Sequence, residues 1–305
     1  MISSIFLGTP VSSVAALEAT LRVSDVRLVI TRPDRPRGRS KTPRPSPVKE
    51  AATALDLSVA QPANRAELLE IIARLSPFDV GVVVAFGMIL NSDVLSIPRR
   101  GYVNVHFSLL PRWRGAAPVE RAVLAGDEES GVTLMALDRG LDTGSIISTR
   151  RTVVSPVESA GQLLDRLAGL GAGLLERDLG RYVDGSLLAT PQGEEGVTYA
   201  EKIKAEEARL PLIAPVEGVL RRIRAFNPRP GAFGMLNGSR FKVWEAVPSG
   251  TQGVEVGELR VVDGELCLGL MDGAVTLHEV QAEGGRRMTG TEWARGRQGP
   301  LGVLT

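Results

Sequence analysis

The sequence predicts an α/β domain built on a mostly parallel sheet, followed by a small all-β barrel or sandwich. Two observations carry this. The first third alternates short apolar runs with helical patterns, and residues 80–85 form a nearly unbroken Val-rich run, as in a strand covered on both faces. From residue 241 onward, short alternating runs separated by turn residues replace the helical periodicity.

Residues 2–7 read as a strand, 12–21 as a helix with Ser12 as its N-cap, and 26–30 as a second strand. A helix over 66–75 precedes the strand at 80–85. Further strands are expected at 102–105 and 131–137, a helix at 116–124, and a hairpin-like element at 145–154. Residues 159–182 carry a long amphipathic pattern interrupted by glycines. Such alternation predicts parallel pairing through right-handed crossovers. Residues 188–200 hold Pro, Gly and Glu without periodicity, which suits a linker. A helix over 215–226 is followed by strands at 241–246, 259–262, 265–270 and 275–281. The expected organisation is a domain over 1–189, a linker over 190–208 and a second domain over 209–305.

The 305 residues suffice for about two domains. With 43% hydrophobic and 23% charged residues the composition is that of an ordinary globular protein, and 4% aromatics leave the cores to aliphatic side chains. Cys267 stands alone and cannot form an internal disulfide. With two histidines in the chain, a Cys/His zinc site is implausible. A reducing, cytoplasmic location is the expectation. No apolar stretch approaches the roughly 18 residues of a membrane span, and no basic segment precedes the first apolar run as in a signal peptide. The net charge of +1 is too balanced to announce nucleic acid, but its placement is uneven.

The chemistry concentrates between residues 101 and 145. In Asn104-Val105-His106, residues two apart on a strand share a side, so the amide and the imidazole can face one site. They sit at the carboxyl end of an expected strand, where open α/β sheets bind ligands. A loop with two prolines and a glycine follows at 108–118, and Asp142 lies between Gly140 and Gly144 in a turn-prone segment. An amide can donate to a developing oxyanion, an imidazole can relay a proton, and a carboxylate can orient that imidazole. The set suits acyl transfer to an amine. Each residue also has an ordinary structural use, as turn former or as hydrogen-bonded strand-end histidine.

Several motifs together carry a resemblance over nearly the whole chain. They are FLGTP at 6–10, TRPDRPRGRS at 31–40, SPVK at 46–49, AFGMIL at 85–90, NVHFSLLPRWRGAAPV at 104–119 and LDTGSII at 141–147. The second half adds TYAEKI at 198–203, IRAFNPRPGAF at 223–233 and GGRRM at 284–288. On these the chain resembles the 10-formyltetrahydrofolate-dependent formyltransferase family, and within it the members acting on methionyl initiator tRNA. The resemblance implies a Rossmann-like formyltransferase domain with a mostly parallel sheet, followed by a small OB-fold-like β-barrel that binds tRNA. It implies transfer of a formyl group from 10-formyltetrahydrofolate to the amino group of methionyl initiator tRNA, for translation initiation. The family's catalytic residues fall on Asn104, His106 and Asp142. Its folate-contacting segment falls on Ser108, Leu109, Leu110 and Pro111, with Phe86, Gly87, Met88, Ile89 and Leu90 lining the pterin pocket. A monomer without metal is implied. The tryptophan that often follows the TYA segment is replaced here by Leu210-Pro211-Leu212, and the later NPWP pattern reads Asn227-Pro228-Arg229-Pro230.

Between residues 31 and 49, Arg32, Arg35, Arg37, Arg39, Lys41, Arg44 and Lys49 face Asp34 as the sole acidic residue. Interleaved prolines keep this segment extended, and an extended cationic loop suits the phosphates of an RNA acceptor end. The family inserts a basic loop at this position, and Arg39 matches an arginine of its pattern. Lys202, Lys204, Arg221, Arg222, Arg224, Arg286 and Arg287 could continue a tRNA track. Rival readings are a formyltransferase acting on a small amine, a non-catalytic tRNA-binding module and a formyltetrahydrofolate hydrolase. His278 and the Gly8-Thr9-Pro10 turn are expected to be structural; the turn lacks the glycine spacing of a nucleotide loop.

Overall fold

In the computed structural model, which describes residues 1–36 and 42–305, the N-terminal apolar run becomes β1 (Ser3–Gly8), buried from Ser4 onward. α1 (Val14–Val23) and β2 (Asp25–Ile30) follow. A short ribbon of β3 (Arg35–Pro36) and β4 (Pro43–Arg44) precedes α2 (Pro47–Ala54), β5 (Val59–Ala60) and α3 (Arg65–Leu75). β6 (Val80–Val84) is buried at every position, α4 (Ser92–Leu95) is short, and β7 (Tyr102–His106) is again fully buried. Next come β8 (Arg114–Gly115), α5 (Pro118–Ala125), β9 (Glu129–Ala136), β10 (Ile146–Val153), α6 (Ala160–Asp184) and β11 (Tyr199–Ala200).

The main sheet has the order β10-β9-β7-β6-β1-β2-β5. β5, β2, β1, β6 and β7 run parallel, and β9 and β10 are antiparallel to their neighbours. Strands covered on both faces need no alternation, so β6 reads as a nearly continuous apolar run. The chain builds outward from β1 to β2 and β5, then crosses to β6 and β7 on the other side. The crevice beyond the carboxyl ends of β1 and β6 is therefore the topological switch point. Gly81 on β6 is required by packing: a Cβ there would stand 2.1 Å from Cδ1 of Tyr102.

The expected Ser12 cap is not formed. A 3-10 turn (Val11–Ser13) precedes α1, and neither it nor α1 has a side-chain cap. The Ser13 hydroxyl instead donates to the Val84 carbonyl at 2.7 Å, and Thr9 Oγ1 donates to the Phe86 carbonyl at 2.9 Å. These bonds tie the turn after β1 to the end of β6, and they take the hydroxyl of Ser13, which stands at the N-cap of α1. By contrast, Asn64 caps α3 by accepting from the Ala66 and Glu67 amides, a contribution of about 1 kcal/mol.

α7 (Val216–Ala225) opens the second half. β12 (Ala232–Leu236), β13 (Ser239–Ser249), β14 (Leu259–Val262), β15 (Glu265–Leu270), β16 (Gly273–Ala282), β17 (Met288–Thr289) and α8 (Gly290–Arg295) follow. The strands form an antiparallel sheet in the order β12-β13-β16-β15-β14, with β17 paired to β16. Near the C-terminus, Leu304 bridges Leu236 and Val303 bridges Glu258, so the tail links the two edges of this sheet as a small barrel requires. Val219, Leu220 and Ile223 of α7 join Phe241, Leu266, Leu268, Leu277 and Trp293 in its core. Cys267 is buried on β15.

The chain divides into two compact units. One comprises Met1–Pro118, Glu129–Val153 and Leu164–Ala200; the other comprises Val119–Glu128, Val154–Leu163 and Glu201–Thr305. Among the described residues, no helix is long and apolar enough to cross a membrane.

Candidate active site

β7 delivers Asn104 and His106 to one side of the sheet, and both are buried. They border a cavity of about 450 Å³ in the first unit. Its apolar walls include Phe86, Met88, Leu90, Phe107 and Leu137, and Asp138, Arg139 and Asp142 also line it. Residues 85–91, beyond β6, lie outside any helix or strand, which offers main-chain polar groups beside the apolar walls.

His106 Nε2 lies 2.8 Å from the Trp113 carbonyl oxygen. A carbonyl only accepts, so Nε2 carries the proton and Nδ1 is left facing Asp142, whose Oδ2 is 3.7 Å away. That same Oδ2 accepts from the Gly115 amide at 2.8 Å. Among the described residues, none hydrogen-bonds the Asn104 carboxamide. The loop carrying Asp142 folds back onto β9, and a Cβ on Gly144 would stand 1.7 Å from the Ala136 carbonyl oxygen. Three non-glycine residues around the cavity adopt left-handed backbone: Ala85 (φ 46), Trp113 (φ 63) and Asp142 (φ 53). Such positions cost on the order of 1 kcal/mol or more each and cluster at functional sites.

All three residues of the expected catalytic set thus meet at one cavity. Phe86, Gly87, Met88, Ile89 and Leu90 line it as well. Ser108, Leu109, Leu110 and Pro111 are not among its lining residues; they follow Phe107 in the irregular stretch between β7 and β8. Thr133 on β9 holds that stretch, donating from Oγ1 to the Ser108 carbonyl at 2.7 Å and accepting from the Leu110 amide at 3.1 Å. Gln192, Thr198, Trp113 and Gly115 belong to the hydrogen-bond network of the site and were not among the expected residues. Trp113 and Gly115 lie within the 104–119 motif and Thr198 opens the 198–203 motif, whereas nothing in the periodicity or composition of 190–200 distinguishes Gln192. Among the described residues, no group of His, Cys, Asp and Glu could hold a metal ion.

Of the expected tRNA contacts, Arg35 and Arg44 are exposed and directly opposite each other on the β3–β4 ribbon. Like charges in direct cross-strand register repel, which suits an anionic partner. The base of the ribbon is anchored by Lys49, which pairs with Asp34 at 2.8 Å and donates to Gln61 at 2.7 Å. Arg37, Arg39 and Lys41 lie outside the described residues. In the second unit Lys202, Lys204, Arg286 and Arg287 are exposed, and the Arg287 guanidinium lies 3.5 Å from the Trp244 ring centre. Arg222 is half-buried: it donates to the Glu207 carbonyl and covers Phe226.

The formyl transferase family matches residues 6–178, and its C-terminal domain matches 202–298. Methionyl-tRNA formyltransferase of Chromobacterium violaceum is 43% identical over 305 residues, covering 98% of each chain. That of Neisseria gonorrhoeae (strain NCCP11945) is 43% identical over 298 residues, covering 96% of each. An N-formyltransferase from Helicobacter canadensis, solved with folinic acid and dTDP-3-aminofucose, superposes with a TM-score of 0.69 at 20% identity, over 92% of this chain and 100% of that one. HypX from Aquifex aeolicus in complex with tetrahydrofolic acid gives 0.69 at 18% identity over 95% of this chain, which spans 46% of HypX. At those identities the two structures establish the fold. With both domains matched and such identity sustained over nearly its whole length, the chain belongs to the methionyl-tRNA formyltransferase family, a family of formyl-transferring enzymes.

Proposed function

We propose that this chain transfers the formyl group of 10-formyltetrahydrofolate to the amino group of methionyl initiator tRNA, in support of translation initiation. The observation that carries the chemical reading is the convergence of Asn104, His106 and Asp142 on one apolar-walled cavity. The acceptor is inferred from the relatives' names and from the basic ribbon.

The cavity suits a folate. Apolar walls can take the faces of a flat heteroaromatic ring, while carboxylates and irregular main chain can meet its polar edge. When bound, 10-formyltetrahydrofolate supplies the formyl carbon as electrophile. Asn104 donates from its carboxamide to the formyl oxygen as negative charge develops there, which typically lowers a barrier by about 2.7–4 kcal/mol. His106 accepts the proton of the attacking amine at Nδ1, because Nε2 is committed to Trp113, and passes it to the folate nitrogen as the bond from that nitrogen to the formyl carbon breaks. Asp142, 3.7 Å from Nδ1, balances the imidazolium that results. No nucleophilic Ser or Cys is required, and Cys267 is buried on a strand of the second unit.

The test is to incubate the protein with 10-formyltetrahydrofolate and methionyl-tRNA, a small amine, or no acceptor. Formyl-methionyl-tRNA is the expected product. Transfer only to the small amine would sink the tRNA reading, and formate release without acceptor would favour a hydrolase.

A further inference from the structure

Asp142 is held from two sides, and the second hold comes from far along the chain. Gln192 Nε2 donates to the Asp142 carbonyl at 2.9 Å and to the Gly144 carbonyl at 2.7 Å. Its Oε1 accepts from Arg114 Nε at 3.0 Å and Nη2 at 2.7 Å. A primary amide offers two donors and two acceptor sites, so all four are used. Arg114 is itself buried on β8, and the next residue, Gly115, donates its amide to the Asp142 carboxylate.

The same stretch of chain holds the histidine's partner. β11 pairs in parallel with β8, matching Tyr199 to Arg114 and Ala200 to Gly115. Thr198 Oγ1 accepts from the Trp113 amide at 2.8 Å, and Trp113 presents its carbonyl to His106. Residues 190–200, whose composition suits a tether, thus reach both the His106 and the Asp142 sides of the site. Asp142 also stands at φ 53, a left-handed position that needs support from its surroundings. Gln192 supplies that support directly on the Asp142 carbonyl.

From this geometry we infer that Gln192 is a positioning residue for formyl transfer, acting through Asp142; the inference rests on the catalytic reading of Asp142. Gln192→Glu is nearly isosteric. It keeps an acceptor for Arg114 but cannot donate to the two carbonyls. Gln192→Ala removes both roles. A carboxylate misplaced by about 1 Å costs on the order of 100-fold in rate, so both variants are expected to lose roughly 10- to 100-fold in single-turnover rate. KM for either substrate should change by less than about threefold, because Gln192 is not among the residues lining the cavity.

The deciding experiment is a double-mutant cycle with Asp142→Asn, read as single-turnover rates at saturating substrates, with circular dichroism and thermal unfolding verifying that each variant is folded. If Gln192 acts through Asp142, Gln192→Ala adds little further loss in the Asp142→Asn background. A loss that multiplies in full would overturn the clamp while leaving Asp142 catalytic. A wild-type rate in folded Gln192→Glu and Gln192→Ala would also overturn it. A wild-type rate in Asp142→Asn alone would overturn the catalytic reading and the clamp together.

Discussion

His106 Nε2 and the carbonyl oxygen of Trp113 are 2.8 Å apart, and the bond comes from a residue in left-handed backbone seven positions downstream. This one contact decides which ring nitrogen can exchange a proton. The neutral ring is predicted to be the Nε2–H tautomer, with Nδ1 unprotonated. Nitrogen-15 NMR of labelled histidine should show a pyrrole-type Nε2 and a pyridine-type Nδ1. The opposite assignment would contradict the proton path proposed through Nδ1.

Gly144 sets how closely the aspartate loop lies on β9, since a Cβ would collide with the Ala136 carbonyl. Gly144→Ala must push the loop outward and carry Asp142 with it. The single-turnover rate is expected to fall by about 100-fold or more while far-UV circular dichroism stays unchanged. Retention of the wild-type rate would mean that the loop position is not critical.

Arg35 and Arg44 face each other across a two-residue ribbon. The double variant Arg35→Ala/Arg44→Ala should leave folate KM unchanged and weaken methionyl-tRNA binding. If both contact phosphates, the slope of log affinity against log salt should shrink by roughly 1.5. Removing the repulsion should leave stability unchanged or raise it by up to about 1 kcal/mol. An unaltered salt slope would count against a phosphate contact at the ribbon.

Asp79 fastens the start of β1. The Ser3 amide and hydroxyl donate to its Oδ2 at 2.9 and 3.0 Å, and Arg99 lies 3.5 Å from Oδ1. The backbone bond from Ser3, followed by the side-chain bond and the Arg99 charge, outweighs burial and holds its carboxyl below the usual range. A depressed folded pKa stabilises the fold fully above the unfolded value of about 4, and that contribution is lost as pH falls through the folded value. Asp79→Asn should therefore cost about 1–2 kcal/mol at pH 7, with the gap closing in strong acid. Urea unfolding at both pH values measures this; a gap independent of pH would exclude the linkage.

What the sequence made legible follows from periodicity. β6 is buried on both faces and reads as a nearly unbroken apolar run, while the alternation of the second half foretells its antiparallel strands. The Asn104–His106 pair was legible because strand geometry puts alternate residues on one side. The two-residue ladders β3–β4 and β8–β11 are too short to leave a period. Gln192 gave no signal, because its partners lie 78, 50 and 48 residues away and nothing local requires an amide there. Arg222 reads like its basic neighbours, yet its guanidinium is spent on the Glu207 carbonyl and Phe226; burial, not residue type, sets it apart.

The most direct measurement is the single-turnover rate of formyl transfer from 10-formyltetrahydrofolate to methionyl-tRNA, at saturating substrates, in Asn104→Ala and His106→Ala. Asn104→Ala is predicted to be slower by about 10²–10³-fold, and His106→Ala by about 10²–10⁴-fold, with both proteins folded. Wild-type rates in either folded variant would contradict the assignment of the reaction to this site.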